Sequence, residues 1–220
     1  MSKLILITGG SVGIGRATCL ELSKKGYIIV FSYYKDKEEA EKTKIECEKN
    51  GAQAYYFYLN LLEDESIKKF ATEVIGKFGK IDILINNAGV IYWKDLKDQT
   101  FEEITNQVRV NLEGLIKIAK IFLPYINEMI INVSSGAGKT AYAGLTTYCA
   151  TKFGVRGFTQ ALAKELNKIK VFSLNPDMTQ TRMTNFSGRP PQDVAKVILD
   201  LIEGRIKANS GDDIDVWRYL

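Results

Sequence analysis

LILITGGSVGIGRATCLELSKKG, residues 4–26, decides the fold. LILI is a short apolar run ended by Thr8-Gly9-Gly10, the pattern of a strand buried on both faces of a parallel sheet. The segment that follows places Ala17, Leu20 and Leu22 at helical spacing, and Gly26 supplies the stop. Glycines at 9, 13 and 15 permit a tight turn and close approach of the backbone to a ligand. The free N–H groups of the helix start, with the positive end of its dipole, suit a pyrophosphate. The spacing is G-x-x-x-G-x-G, not the G-x-G-x-x-G of the general dinucleotide fingerprint. A glycine-rich turn needed only for packing is the competing explanation. Its position between the first strand and the first helix weighs against that.

Working outward, strands and helices alternate to the end of the chain. Residues 27–33 (YIIVFSY) read as a second strand, and the charged segment 35–50 as a solvated helix with i,i+4 pairs of opposite sign. AQAYYFYLNL, IDILINNAG, MIINVSSG, KVFSLNP and DIDVW carry five further strands. SIKKFATEVIGKFG, residues 101–122, residues 147–166 and PPQDVAKVILDLIEG read as the remaining helices. This order predicts a doubly wound α/β fold, a Rossmann-type three-layer αβα sandwich with a parallel sheet. No repeat, low-complexity tract or linker interrupts it, so one domain over residues 1–220 is expected. Ligands of such sheets bind beyond the carboxyl ends of the strands.

The bulk properties narrow the function. Of 220 residues, 45% are hydrophobic and 25% charged, the range of soluble globular chains. The net charge of +4 is spread along the chain, so no nucleic-acid surface is expected. Cys19, Cys47 and Cys149 form neither a disulfide framework nor metal-ligand pairs. The N-terminal apolar run is too short for a signal peptide or a membrane span, which predicts a cytoplasmic protein without membrane contact. There is no histidine, so proton transfer near neutrality needs another group to be tuned.

That group is sought in TTYCATKFGVRGF, residues 146–158, where Tyr148 precedes Lys152 by one helical turn. The spacing alone is weak, since Tyr33 and Lys37 share it and read as surface residues. Tyr148 has better company: NNAG (86–89) after the fourth strand, Asn111 in the long helix, and NVSS (132–135) after the fifth strand. This ordered set resembles the short-chain dehydrogenase/reductase family in its shorter single-domain branch. Within that branch it is similar to 3-oxoacyl-acyl-carrier-protein reductase-like members. The likeness extends from residue 4 to about 183; beyond 190 the chain matches only as a helix and a strand.

The resemblance implies a catalytic tetrad of Asn111, Ser135, Tyr148 and Lys152. It implies cofactor contacts from Gly9, Ser11, Gly13, Ile14 and Gly15 in the turn, and from Asn60 and Leu61 at the adenine. Asn87, Ala88 and Gly89 would support the sheet and touch the cofactor. Pro176, Thr179 and Thr181 follow the sixth strand, where the two threonines would hold the nicotinamide carboxamide. Asp177 stands where the family has glycine. The chemistry needs these residue types. A free tyrosine titrates near 10. A lysine one turn away shares its helix face, and its ammonium favours the phenolate. Ser135 would steady charge on the substrate oxygen. Lys152 would also bind the cofactor ribose, and Asn111 would hold a water that relays protons.

Cofactor choice is read from the second strand. An acid there, about 20 residues beyond the glycines, binds the 2′-hydroxyl of NAD. Here the strand ends Phe31-Ser32-Tyr33-Tyr34-Lys35, and Asp36 falls later. Ser32 and Lys35 are therefore expected to take the 2′-phosphate of NADP(H), although Val12 stands where an arginine of the turn would reach it. NADP(H) is favoured, with NAD(H) as the alternative.

The expected activity is NADPH-linked reduction of a carbonyl. The alternatives are an NAD-linked dehydrogenase of a secondary alcohol or sugar, and a dinucleotide sensor without turnover. The intact tetrad argues against the sensor. The lid between the sixth strand and the last helix is short (TNFSGR, 184–189), which suggests an open site for a small-molecule or carrier-linked carbonyl. Ile91, Tyr92, Trp93, Tyr142, Leu145, Met178, Met183 and Phe186 are candidate walls. On the long helix, Ile104, Val108, Leu112, Leu115, Ile116, Ala119 and Phe122 form a stripe for the sheet. Val110, Ile118 and Ile121 widen it, and Val155, Phe158, Ala161, Leu162 and Leu166 add to it from the next helix. A homo-oligomer, tetramer or dimer, is expected.

Overall fold

The computed structural model describes residues 2–220. Seven parallel strands form one sheet in the order β3-β2-β1-β4-β5-β6-β7. They are β1 Leu4–Ile7, β2 Ile28–Tyr33, β3 Ala54–Tyr58, β4 Ile81–Asn86, β5 Ile126–Val133, β6 Lys170–Asn175 and β7 Asp213–Asp215. The helices are α1 Gly13–Ser23, α2 Lys37–Lys49, α3 Asp64–Phe78, α4 Phe101–Val108, α5 Leu115–Phe122, α6 Thr146–Glu165 and α7 Pro191–Ile202. The doubly wound reading holds. The sheet grows from β1 in both directions, to β2 and to β4. A crevice opens at that switch point.

Side-chain alternation along each strand divides the core in two. Ile5 and Ile7 of β1 join Ile29 and Phe31 of β2 and the buried side of α7 on one face. Leu4 and Leu6 join Phe70 of α3 and Ile118 and Phe122 of α5 on the other. Phe31, Phe70, Phe122 and Phe172 are fully enclosed. Each contributes about 2–3 kcal/mol by leaving water.

The long helix expected over 101–122 is α4 and α5 joined by a π-helical turn, Arg109–Gly114. It starts with a capping box: the Thr100 hydroxyl accepts from the Glu103 N–H at 3.1 Å, and Glu103 accepts from the Thr100 N–H at 2.9 Å. The extra residue of the π turn re-phases its two halves. Ile118, expected outside, is buried with Leu115, Ala119 and Phe122. Val108, expected inside, is exposed.

Candidate active site

A cavity of about 1160 Å³ runs along the carboxyl ends of the strands. That exceeds the usual volume for one small ligand. Gly9, Ser11, Gly13 and Ile14 line it from the turn, Asn60 and Leu61 from the end of β3, and Asn87, Ala88 and Gly89 from the end of β4. Ser135, Tyr148, Lys152, Pro176, Thr179 and Thr181 line it from β5, α6 and the segment after β6.

The turn is shaped for an anion. Gly9 and Gly13 have φ of +70° and +59°, which side chains rarely adopt. α1 has no side-chain cap and no acid in its first turn, so its leading N–H groups face the cavity without a competing carboxylate. Gly15 does something else. It is buried and off the cavity wall, and a Cβ there would collide with the Gly9 carbonyl oxygen. The turn is held from below: Asn87 Nδ2 donates to the carbonyls of Thr8 and Gly9, both at 3.0 Å. The Thr8 hydroxyl accepts from the N–H groups of Asn87 and Ala88. These residues suit a dinucleotide.

At the other end of the cavity, β5 and α6 meet. The buried Ser134 hydroxyl donates to the Lys152 carbonyl at 2.9 Å and pins the helix to the strand end. Gly138 lies so close to Lys152 that a Cβ would meet its carbonyl oxygen at 2.8 Å. The Ser135 hydroxyl accepts from the Ala137 N–H at 3.1 Å, capping the short turn Gly136–Gly138 while still facing the cavity. Lys152 is buried, and its Nζ donates to the Val133 carbonyl at 2.9 Å. With only this neutral partner, burial pulls the ammonium down to about 8.

Tyr148 departs from expectation. Its phenol is pushed up to about 12 by burial, and the hydrogen bond with Ser135 offsets only part of that. The lowering expected from Lys152 does not show in this shift, and the phenol is protonated at neutral pH as a free tyrosine is.

Asn111 is buried inside the π turn and does not line the cavity. Its side chain grips one residue from both sides: Oδ1 accepts from the Val90 N–H and Nδ2 donates to the Val90 carbonyl, each at 2.8 Å. A donor bond to the Thr151 hydroxyl at 3.3 Å links it to α6.

At the adenosine end, Ser32 has a second task. Its hydroxyl accepts from the Gly9 N–H at 3.0 Å, and the side chain is buried. It therefore braces the turn, while its own O–H remains free to donate on the cavity wall, where the phosphate was expected. Lys35 is exposed on the cavity wall. Asn60 Oδ1 accepts from the Leu62 N–H at 3.1 Å. Asp177, in the glycine position, has no positive φ, and its carboxylate pairs with Arg189 across the base of the lid. Seven of the eight candidate wall residues line the cavity; Phe186 does not, and is exposed.

The sequence reading missed two contacts. Trp93 Nε1 donates to the Met183 carbonyl at 3.0 Å, and Arg182 Nη1 donates to Asp36 Oδ2 at 2.8 Å. Both hold the lid, and no local spacing announces either.

Comparison with known proteins agrees with this geometry. The short chain dehydrogenase family profile matches residues 3–191. The 3-oxoacyl-[acyl-carrier-protein] reductase FabG of Staphylococcus epidermidis is 33% identical over 84% of this chain and 78% of its own. Human 17-beta-hydroxysteroid dehydrogenase 13 is 34% identical over 92% of this chain and 71% of its own. Among solved structures, a short chain dehydrogenase from Burkholderia cenocepacia in complex with NADP is 27% identical. It superposes with a TM-score of 0.89, covering 96% of this chain and 95% of that one. This chain therefore belongs to the short-chain dehydrogenase family of NAD(P)-dependent oxidoreductases.

Proposed function

We propose that this protein is an NADPH-dependent carbonyl reductase in which Tyr148 delivers the proton. The observation that carries this is the convergence of Ser135, Tyr148 and Lys152 on the wall of the same cavity that the glycine turn lines. A nicotinamide dinucleotide bound in the cavity would supply the hydride to the carbonyl carbon. Gly9, Ser11, Gly13 and Ile14 hold its pyrophosphate, Asn60 and Leu61 border its adenine, and Asn87, Ala88 and Gly89 lie beneath it. Thr179 and Thr181 hold the carboxamide, and Lys152 the ribose. Ser135 hydrogen-bonds the substrate oxygen and Tyr148 donates to it as charge develops there. Asn111 fixes the Val90 backbone and the helix that carries Tyr148.

The named activities of the relatives favour a bulky or carrier-linked ketone. One relative is a 3-oxoacyl-[acyl-carrier-protein] reductase and another a hydroxysteroid dehydrogenase. The exposed Trp93, Tyr142 and Met178 on the wall give such a substrate apolar surface. A homo-oligomer is part of the same reading, supported by the apolar outer side of α4 to α6. The test is oxidation of NADPH and NADH against ketones, 3-oxoacyl thioesters and quinones. Turnover with none of these, by protein that binds dinucleotide, overturns the reading.

A further inference from the structure

We infer that Arg182, on the segment after β6, selects the phosphorylated dinucleotide by bringing its guanidinium across the groove to the 2′-phosphate. This rests on the dinucleotide reading above. The turn offers no cation at the adenosine end, since Val12 stands in the wall there. Ser32, on the same wall, is neutral and already accepts from the Gly9 N–H, so it offers no charge to a phosphate. Among the described residues lining the cavity beside the end of β2, the cations are Lys35 and Arg182.

Arg182 reaches that place from 146 positions further along the chain. Its base is fixed against the turn: a Cβ on Gly13 would stand 3.2 Å from the Thr181 methyl. Its tip pairs with Asp36, directly before α2. Asp36 sits at the N-cap of that helix but makes no capping bond, so its carboxylate serves the arginine instead. Both partners are well exposed, at 58% and 37%. Such a pair is weak and exchanges readily. A phosphate dianion is the stronger acceptor for a guanidinium, through paired charge-assisted hydrogen bonds. Arg182 therefore holds Asp36 in the free protein and moves to the phosphate when NADPH binds. Asp36 is released to water, and its own repulsion of the phosphate lowers the affinity that Arg182 provides.

The test compares wild type, Arg182→Ala and Asp36→Asn by calorimetric titration with NADPH, NADH, 2′,5′-ADP and 5′-AMP. Both positions are exposed, and circular dichroism confirms that the variants fold. Arg182→Ala should weaken NADPH and 2′,5′-ADP at least tenfold and leave NADH and 5′-AMP within twofold. Asp36→Asn should tighten NADPH severalfold and leave NADH unchanged. An equal loss for both dinucleotides would place Arg182 at the shared pyrophosphate, and no loss would make it a solvated ion pair; either overturns the inference. Wild-type protein that binds neither dinucleotide overturns the underlying reading instead.

Discussion

The Lys152 ammonium stands 5.5 Å from the centre of the Tyr148 ring, one turn along α6. Like any tyrosine it carries its proton at neutral pH, and burial raises it further, to about 12. Tyr148 thus has a proton to give, and in the proposed role Lys152 eases its release as charge develops on the phenol. Tyr148→Phe removes the hydroxyl and little else. Turnover should fall by about 10³-fold, the usual reach of general acid catalysis, while dinucleotide affinity stays within twofold. Steady-state kinetics and a binding titration check this. Retention of a tenth of the turnover, with the chemical step limiting, removes Tyr148 from the role.

Lys152 illustrates function held at a cost in stability. Its folded-state value of about 8 lies below the 10.5 of a free lysine. The unfolded chain therefore binds the extra proton between these values, and stability rises with pH across that window. Below about pH 8 the buried charge is a standing penalty. Lys152→Met keeps the length and removes the charge, leaving the Val133 carbonyl without its donor. The net gain at pH 6–7 should be about 1–2 kcal/mol, shrinking toward pH 10, with activity lost. Thermal melts across pH 6–10 measure it. The same titration predicts that reduction by wild type holds to about pH 8 and declines above it. A variant less stable than wild type at pH 6 contradicts the assignment.

The legible parts of this site were those written in local sequence. Tyr148 and Lys152 share one helical turn, and the glycines of the first turn fall within seven residues. The alternation of apolar runs dictated a parallel sheet, and that sheet brought the glycine turn, the ends of β4 and β5 and the start of α6 to one edge. What stayed hidden depends on paths through space. The Arg182–Asp36 pair joins two loops whose approach is set by the lid. The bracing role of Ser32 stayed hidden because its donor, Gly9, lies on a neighbouring strand's turn. The π turn around Asn111 was invisible because one extra residue leaves an apolar stripe looking continuous, although it moved Ile118 inward and Val108 outward. The pKa of Tyr148 was misjudged for a similar reason: the cation was visible in the sequence, but the desolvation was not.

The glycines at the two ends of α1 have separable roles. Gly15 is forced by packing, since a Cβ would run into the Gly9 carbonyl and stand 2.6 Å from Asn87 Nδ2. Backbone cannot yield there cheaply. Gly26 closes α1 at φ +71° with nothing within 4 Å. Gly15→Ala should therefore cost about 3 kcal/mol or more, and Gly26→Ala only about 1 kcal/mol. Denaturant melts of the two variants give the difference directly. Equal costs would mean that the turn is far softer than its contacts indicate.

The outer side of the helical layer gives the last prediction. Phe101 is 90% exposed, Val108 is exposed, and Ile104, Leu112 and Ile116 are only half-buried in the single chain. On α6, Phe153 is exposed beside Gly154, which packs against Leu112; a Cβ there would meet the Leu112 side chain at 3.0 Å. Gly157 follows one turn on, with open space above it. Small residues among large apolar ones let a second helix approach closely. Exposed apolar surface of this extent marks an association surface more often than a solvent face. A two-fold contact through it would set α4 and α6 against their own copies. Light scattering should then report a multiple of 24.7 kDa. Val108→Glu places a charge at the centre of the stripe, where it is exposed in the monomer and buried in the assembly. It should shift the protein toward monomer at micromolar concentration while leaving the fold intact by circular dichroism. Wild type that scatters as a monomer, or a Val108→Glu variant that stays assembled, would move the contact elsewhere.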